Sequence, residues 1–280
     1  MVPFYLNIHR MSRPFQLFSD IHLERYVSSW PRITPLAPLL ILAGDVGHLK
    51  SSNFVPFLNH VSNNWAEAVY VPGNHEYYTL HYQPVPIRRF RHMYHQLFNR
   101  WSNIHLLDNS TWDYHQYRFI GSTLWSDPHH ESLSSLNDFR QIYYDDNLIT
   151  REEFVGLHKE GVEFIRTELE AINEEREEAG ESGKVPILIT HFPPIREGIS
   201  APAYKDSGHD QYFGNSLDEM KINPSSIPLW ISGHTHFSYD YRIDGTRYLS
   251  NQMGHLSEYP TNRFQPEAVF TLPDKEDKSE

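Results

Sequence analysis

The strongest constraint on this chain is a set of short, almost continuously apolar runs: Phe15–Phe18, Leu39–Ala43, Ala68–Val71, Tyr117–Gly121, Val185–Thr190, Leu229–Ser232, Arg247–Asn251 and Ala268–Leu272. Such runs are short for helices, and their weak polar alternation suits strands covered on both faces. Helical patterns lie between them. Asn53–Trp65 follows Ser51 and Ser52 as candidate caps, and Val85–Trp101 follows Pro84. Arg151–Glu178 follows Thr150 and carries Glu152 and Glu153 in its first turn, where the helix dipole favours acids. Strands alternating with helices predict a layered α/β fold. No repeat and no Gly/Ser linker divides the chain, so one domain is expected. Ser122–Thr150 and Phe192–Gly214 read as long irregular segments, which in compact domains tend to carry function.

Composition narrows the chemistry. Of 280 residues, 39% are hydrophobic and 21% charged, proportions that support one sizeable core. The absence of cysteine excludes disulfides, thiolate nucleophiles and thiolate-bound zinc, and a cytoplasmic location is expected. No run approaches the roughly 20 apolar residues that cross a bilayer, so no membrane partner is expected. Residues 1–14 lack a secretory-signal pattern. The formal charge of −12 opposes a nucleic-acid partner, because duplex binding relies on Lys and Arg. Arg88, Arg89, Arg91 and Arg100 lie on one helical segment and read as a solvated face, as does the acid-rich stretch 151–181. Histidine is abundant, at 18 residues, and its placement carries the functional signal.

Asp20 and His22 follow the first run, Gly44-Asp45 the second, and Gly73-Asn74-His75-Glu76 the third; His191 closes Val185–Thr190, and Gly233-His234-Thr235-His236 closes Leu229–Ser232. In open α/β sheets, ligands gather beyond the carboxyl ends of strands. Carboxylate, amide oxygen and imidazole form a mixed O/N donor set suited to transition metals rather than calcium. Asp20, His22, Asp45, Asn74, His191, His234 and His236 exceed what one ion needs, so two ions sharing a carboxylate is the economical reading. The glycines beside Asp45, Asn74 and His234 allow sharp turns. His234 and His236 can share one side of an extended segment or serve different ions. Singly, each motif is ordinary; in this order, always after a strand, they are hard to obtain by accident.

With these motifs in place, the sequence resembles the calcineurin-like metallophosphoesterase superfamily, whose signature is Asp-x-His, Gly-Asp, Gly-Asn-His-Glu, His and Gly-His-x-His. The likeness runs from Phe15 to about Leu272. Residues 118–125 and 240–247 are similar to a subgroup of small family members. The resemblance implies an α/β fold, a four-layer αββα sandwich of two mixed sheets flanked by helices. It implies a domain over 15–273, between an N-terminal extension (1–14) and a charged C-terminal tail (274–280). It also implies that Asp20, His22 and His236 hold one ion, that Asn74, His191 and His234 hold a second, and that Asp45 bridges them. His75 would reach the substrate phosphate or the leaving oxygen, with Asn74 also touching substrate. The ions would be two divalent transition metals, manganese foremost, with iron, zinc, cobalt or nickel as alternatives. One position departs from the pattern. Many family phosphatases carry an Asp three residues after the bridging Asp, to orient the histidine equated with His75; here that position is His48. Either another acid serves His75, or His75 acts mainly by stabilising charge.

This set predicts hydrolysis of a small phosphorylated substrate, a phosphomonoester or phosphodiester, with a nucleotide as one candidate. The attacking group would be a hydroxide bridging ions about 3.5–4 Å apart. Arg140 is a candidate grip on a substrate phosphate. Tyr204, Lys205 and His209 are further candidates in the second irregular segment. Two other functions compete. A non-catalytic binding module should have lost ligands or His75, yet all are present. A nuclease should add a capping domain and DNA-contacting surfaces.

Overall fold

A computed structural model describes residues 13–27, 29–79, 83–128, 133, 136–179, 183–202 and 210–274. Every apolar run read as a strand contains one. In the first sheet β1 (Pro14–Phe18), β2 (Leu39–Ala43), β3 (Glu67–Val71) and β4 (Ile104–Leu106) lie parallel and adjacent, and β11 (Phe270–Thr271) pairs antiparallel with β1. In the second, β6 (Tyr117–Ser122), β7 (Val185–Thr190), β8 (Leu229–Ile231) and β10 (Thr246–Leu249) are parallel. Antiparallel β5 (Ser110–Tyr114) and β9 (Asp240–Ile243) close its edges. β4, β5 and β9 escaped sequence reading. β4 is three residues long, and β5 and β9 are half-exposed edges rich in polar residues.

Side-chain alternation along each strand builds the layers. Phe15, Leu17, Leu39 and Ile41 of the first sheet meet Phe119, Ile187, Ile189 and Leu229 of the second in one buried cluster. The opposite faces pack outward. Leu40, Leu42 and Tyr70 lie with Phe54 and Phe57 of α1 (Phe54–Asn64) and with Phe90 and Tyr94 of α2 (Ile87–Phe98). Past the short α3 (Asp138–Gln141) comes α4 (Arg151–Ala179), whose Ile165, Leu169 and Ile172 cover Ile120, Leu188 and Trp230. The result is helix, sheet, sheet, helix. Each fully buried Leu, Ile or Phe contributes roughly 1.5–3 kcal/mol. A one-residue slip in register would exchange the two faces of a strand, which ties register to burial.

The helix starts follow local chemistry with one correction. Thr150 and Glu153 cap α4 reciprocally: Thr150 Oγ1 accepts from Glu153 N–H (3.2 Å), and Glu153 Oε2 accepts from Thr150 N–H (2.8 Å). The N-cap of α1 is Asn53 rather than Ser51 or Ser52; its side chain is drawn away to donate to the Tyr26 carbonyl. The expected irregular segments contain α3 and α5 (Asp210–Phe213), with α6 (Leu217–Met220) just beyond. Tyr204, Lys205 and His209 lie outside the described residues, as do residues 1–12 and 275–280. No described helix is long and apolar enough to cross a membrane. Because β1, β2 and β3 are parallel to one another, and β7, β8 and β10 likewise, the carboxyl ends of each set share one edge. The Ser19–Gln252 bridge links the two sheets at that edge.

Candidate metal centre

The connecting turns place Asp20 and His22 after β1, Asp45 after β2, Asn74 and His75 after β3, His191 after β7, and His234 and His236 after β8. All of them converge. His22 Nε2 and His236 Nε2 are 3.0 Å apart, and His236 Nε2 is 3.7 Å from Asp20 Oδ1. His191 Nε2 lies 3.0 Å from Asn74 Oδ1, 3.2 Å from His234 Nδ1 and 3.3 Å from Asp45 Oδ1. Asp45 contributes to two donor clusters, one with His22 and His75 and one with His191 and His234, each with donor atoms within 4.8 Å of one another.

The backbone is forced to make this convergence. Asp20, His22, Asp45, His234 and His236 all adopt left-handed φ, between 51° and 76°. Non-glycine residues there cost of order 1 kcal/mol or more each, and such strain clusters at functional sites. Gly44, at φ 86°, is needed for its turn. Gly73 is needed for a different reason: its φ is not positive, but a Cβ there would collide with Asp45 Oδ1 and the His191 ring.

Hydrogen bonds behind the imidazoles fix which nitrogen faces inward. His22 Nδ1–H donates to Glu24 Oε1 (3.1 Å), His236 Nδ1–H to Glu258 Oε2 (2.9 Å) and His191 Nδ1–H to the Ala43 carbonyl (3.0 Å). Carboxylates and carbonyls only accept, so in the neutral form of each ring Nδ1 carries the proton and Nε2 turns its lone pair toward the others. The Asn74 amide is oriented in the same way. Its Nδ2 donates to Asp138 Oδ1 (2.8 Å) and Tyr78 OH (3.0 Å), which turns Oδ1 into the cluster. Lone pairs facing one another at about 3 Å repel unless a proton or cation lies among them. This mixed N/O set fits divalent transition ions.

Charge follows the same geometry. Burial pulls His22 down, and burial with the neighbouring His191 pulls His234 well down, so both stay in the neutral form that ligates. Burial opposes ionisation of His191, yet the adjacent Asp45 raises it to about 9. Asp45 is itself held well below the carboxylate range, against its burial, by His191 and His75.

His75 has an acid partner that sequence reading missed. Its Nδ1 faces Glu24 Oε1 at 3.4 Å, and its Nε2 lies 3.8 Å from Asp45 Oδ2. Burial lowers His75, but Asp45 and Glu24 outweigh it and raise the imidazole to about 9. The His75 side chain remains 20% exposed, whereas Asp20, Asp45 and His191 are fully enclosed, so solvent reaches the cluster beside it. His48 is buried against Phe90.

Other supporting residues were also missed. Glu76 is buried and accepts from the amides of Asp45 (3.1 Å), Val46 (2.9 Å) and Gly73 (2.9 Å), and from Tyr70 OH (2.6 Å). It ties the second and third strand-end loops together. His255 joins His22 and His236 in a further donor cluster. Its signal was present, since Gly254-His255 follows β10 as Gly233-His234 follows β8. Arg140 is exposed, and no bond among the described residues joins it to the cluster. Asp138, two residues earlier, is the member of that segment that reaches Asn74.

Comparison with known proteins gives a consistent picture. The family model for calcineurin-like phosphoesterase matches residues 14–238. An uncharacterised protein, L509, of Acanthamoeba polyphaga mimivirus is 30% identical over 286 aligned residues, covering 93% of this chain and 97% of that one. Among solved structures, phosphopantetheinyl hydrolase from Mycobacterium tuberculosis superposes with a TM-score of 0.57 at 17% identity, covering 93% of this chain and 96% of that chain. At that identity the likeness speaks for the fold.

Proposed function

Because the chain belongs to the calcineurin-like phosphoesterase family, we propose that it is a two-metal hydrolase of phosphate esters. The observation that carries this reading is the shared Asp45: one buried carboxylate stands between two groups of inward-facing imidazole nitrogens. On this reading Asp20, His22 and His236 hold one ion, Asn74, His191 and His234 the other, and Asp45 both. When bound, the ions supply Lewis-acid activation of water and neutralise charge developing on the phosphoryl oxygens. Manganese is the first candidate for both positions.

The chain's own residues supply the rest. His75, protonated and backed by Glu24 at Nδ1, directs Nε2 toward Asp45 while its side chain stays partly exposed. There it stabilises the phosphoryl group or delivers a proton to the leaving oxygen, a role worth roughly 10²–10⁴ in rate. The fixed supports of His22, His236 and Asn74 hold donors in place before substrate arrives, which removes reorganisation from the reaction. Intact ligands together with a positioned His75 favour a catalyst over a binding module. Residues 15–273 form the catalytic unit on this reading, since one inter-sheet core draws on strands from Phe15 to Leu272. The substrate is a small phosphomonoester or phosphodiester, and the cysteine-free sequence suits a cytoplasmic setting.

The test is hydrolysis of 4-nitrophenyl phosphate and bis(4-nitrophenyl) phosphate by manganese-reconstituted protein, with His75→Ala alongside. The wild type should bind two ions by elemental analysis and release nitrophenol. His75→Ala should keep both ions and lose about 10²–10⁴ in rate. An inactive wild type carrying two ions would defeat the enzymatic reading, and full turnover by His75→Ala would remove His75 from it.

A further inference from the structure

A cavity of about 270 Å³ opens beside the His22–His236 side of the cluster, walled by His22, Arg25, Tyr26, His255 and Leu256 among others. Its two walls are the turn after β1 (Leu23–Arg25) and the turn after β10 (Leu256–Glu258). Both are pinned to the strand ends that carry the candidate ligands. Leu23 N–H donates to the Val46 carbonyl (2.9 Å), and Gly254 N–H donates to the Asp20 carbonyl (3.1 Å). Glu258 Oε2 accepts from His255 N–H (2.6 Å) as well as from His236. Gly254 lets that turn lie against the cluster: its φ is 61°, and a Cβ there would stand 2.6 Å from Glu258 Oε2 and 3.1 Å from His236 Cβ. The cavity is therefore a preformed extension of the centre.

Its chemistry is selective. The chain carries a net charge of −12, yet none of the described residues lining this cavity is a carboxylate. The glutamates of the two walls, Glu24 and Glu258, are engaged by histidines. Arg25 forms no ion pair with any described residue, and its charge bears on His255. Tyr26 and Leu256 add apolar surface, and Leu256 is 79% exposed at the rim. A guanidinium with no acid partner among the described residues, beside the apolar surface of Tyr26 and Leu256 and next to the proposed phosphate-binding centre, favours an anionic group on an apolar stem.

We propose that this cavity is the subsite for the part of the ester beyond its scissile phosphoryl group, and that this part carries a second anionic group held by Arg25. The inference rests on the phosphoesterase reading for what occupies the centre. Arg25 and the cavity supply the second contact. A carboxylate and a second phosphate share the chemistry that Arg25 recognises.

The test is calorimetric titration of manganese-loaded full-length protein with three non-hydrolysable probes: phenylphosphonate, 4-phosphonobenzoate and 1,4-phenylenediphosphonate. Hydrolysis of phenyl phosphate is measured in parallel. A charge-assisted contact is worth about 10–100-fold in affinity. The wild type should bind at least one doubly anionic probe tighter than phenylphosphonate by about that factor, and the tighter of the two identifies the group. Arg25→Ala should erase this preference, and Arg25→Lys should restore part of it. Equal affinity for all three probes in the wild type, or an undiminished preference in Arg25→Ala, would overturn the subsite while hydrolysis of phenyl phosphate left the enzymatic reading standing. A charge preference that depends on Arg25, without any hydrolysis, would support the subsite and count against the enzyme.

Discussion

The two halves of the histidine cluster use the same kinds of side chain but rest on different supports. In the half built by Asp20, His22 and His236, each imidazole is backed by a carboxylate, Glu24 or Glu258, and a third ring, His255, lies 4.5 Å from that of His236. In the half built by Asn74, His191 and His234, His191 is backed by a backbone carbonyl. His234 packs against two rings, Phe192 at 3.9 Å and Phe213 at 5.4 Å, and its buried Nε2 has no hydrogen-bond partner among the described residues. A carboxylate behind a ligating imidazole raises its basicity. Aromatic packing fixes orientation without adding charge. The first half is thus electron-rich and borders the Arg25 cavity, while the second is set by a backbone carbonyl and aromatic contacts. The difference teaches that one shared carboxylate can join sites tuned by different physics.

The sharpest break in this comparison is Asp45→Asn, because Asp45 is the proposed shared ligand and joins both donor groups. It should lower metal content in both and reduce turnover by about 10³-fold or more. Two full equivalents by elemental analysis of the variant would contradict the shared role.

Glu24→Gln tests the asymmetry itself. It removes charge behind His22 and His75 while keeping shape. One ion should be lost about 10–100-fold more readily to a chelator, with the other unaffected. Glu258→Gln should weaken the same ion through His236. If chelator titration strips both ions in parallel from either variant, the division into two differently supported halves is wrong.

The smallest effect concerns His48, three residues after Asp45 and packed on Phe90. Burial lowers its imidazole to about 4, and its Nδ1 accepts from Lys50 N–H (3.2 Å). The folded chain keeps His48 neutral where an unfolded chain takes up a proton near pH 6.5. Its contribution to stability is therefore present above about pH 6.5 and is lost as pH falls toward 4, at most about 2 kcal/mol between pH 7 and pH 5. Urea midpoints across that range should fall less steeply in His48→Gln than in the wild type. Parallel curves would assign the acid sensitivity to other groups.

Much of this was legible before any coordinates. The central strands announce themselves because burial on both faces demands apolar residues at every position, as in Leu39–Ala43 and Val185–Thr190. The edge strands β5 and β9 do not, because one side meets water and the hydrophobic signal is diluted. The eight proposed site residues were readable because each follows such a run. Their supports were harder to find. Glu24, Asp138 and Glu258 are acids among 36 in the chain, and nothing in the local sequence tells a carboxylate behind a histidine from one facing solvent. His255 was findable, by extending to β10 the rule that had worked for β8.

The sequence by itself determined the layers, the strand ends and the ligand types, because burial and turn chemistry are local and leave periodic traces. The tertiary structure alone decided which nitrogen each histidine turns inward, which acid stands behind His75, and that Arg25 lines a cavity with no carboxylate among its described residues. Those properties depend on distances between groups such as His22 and His236, 214 residues apart in sequence. No local pattern encodes a distance of that kind.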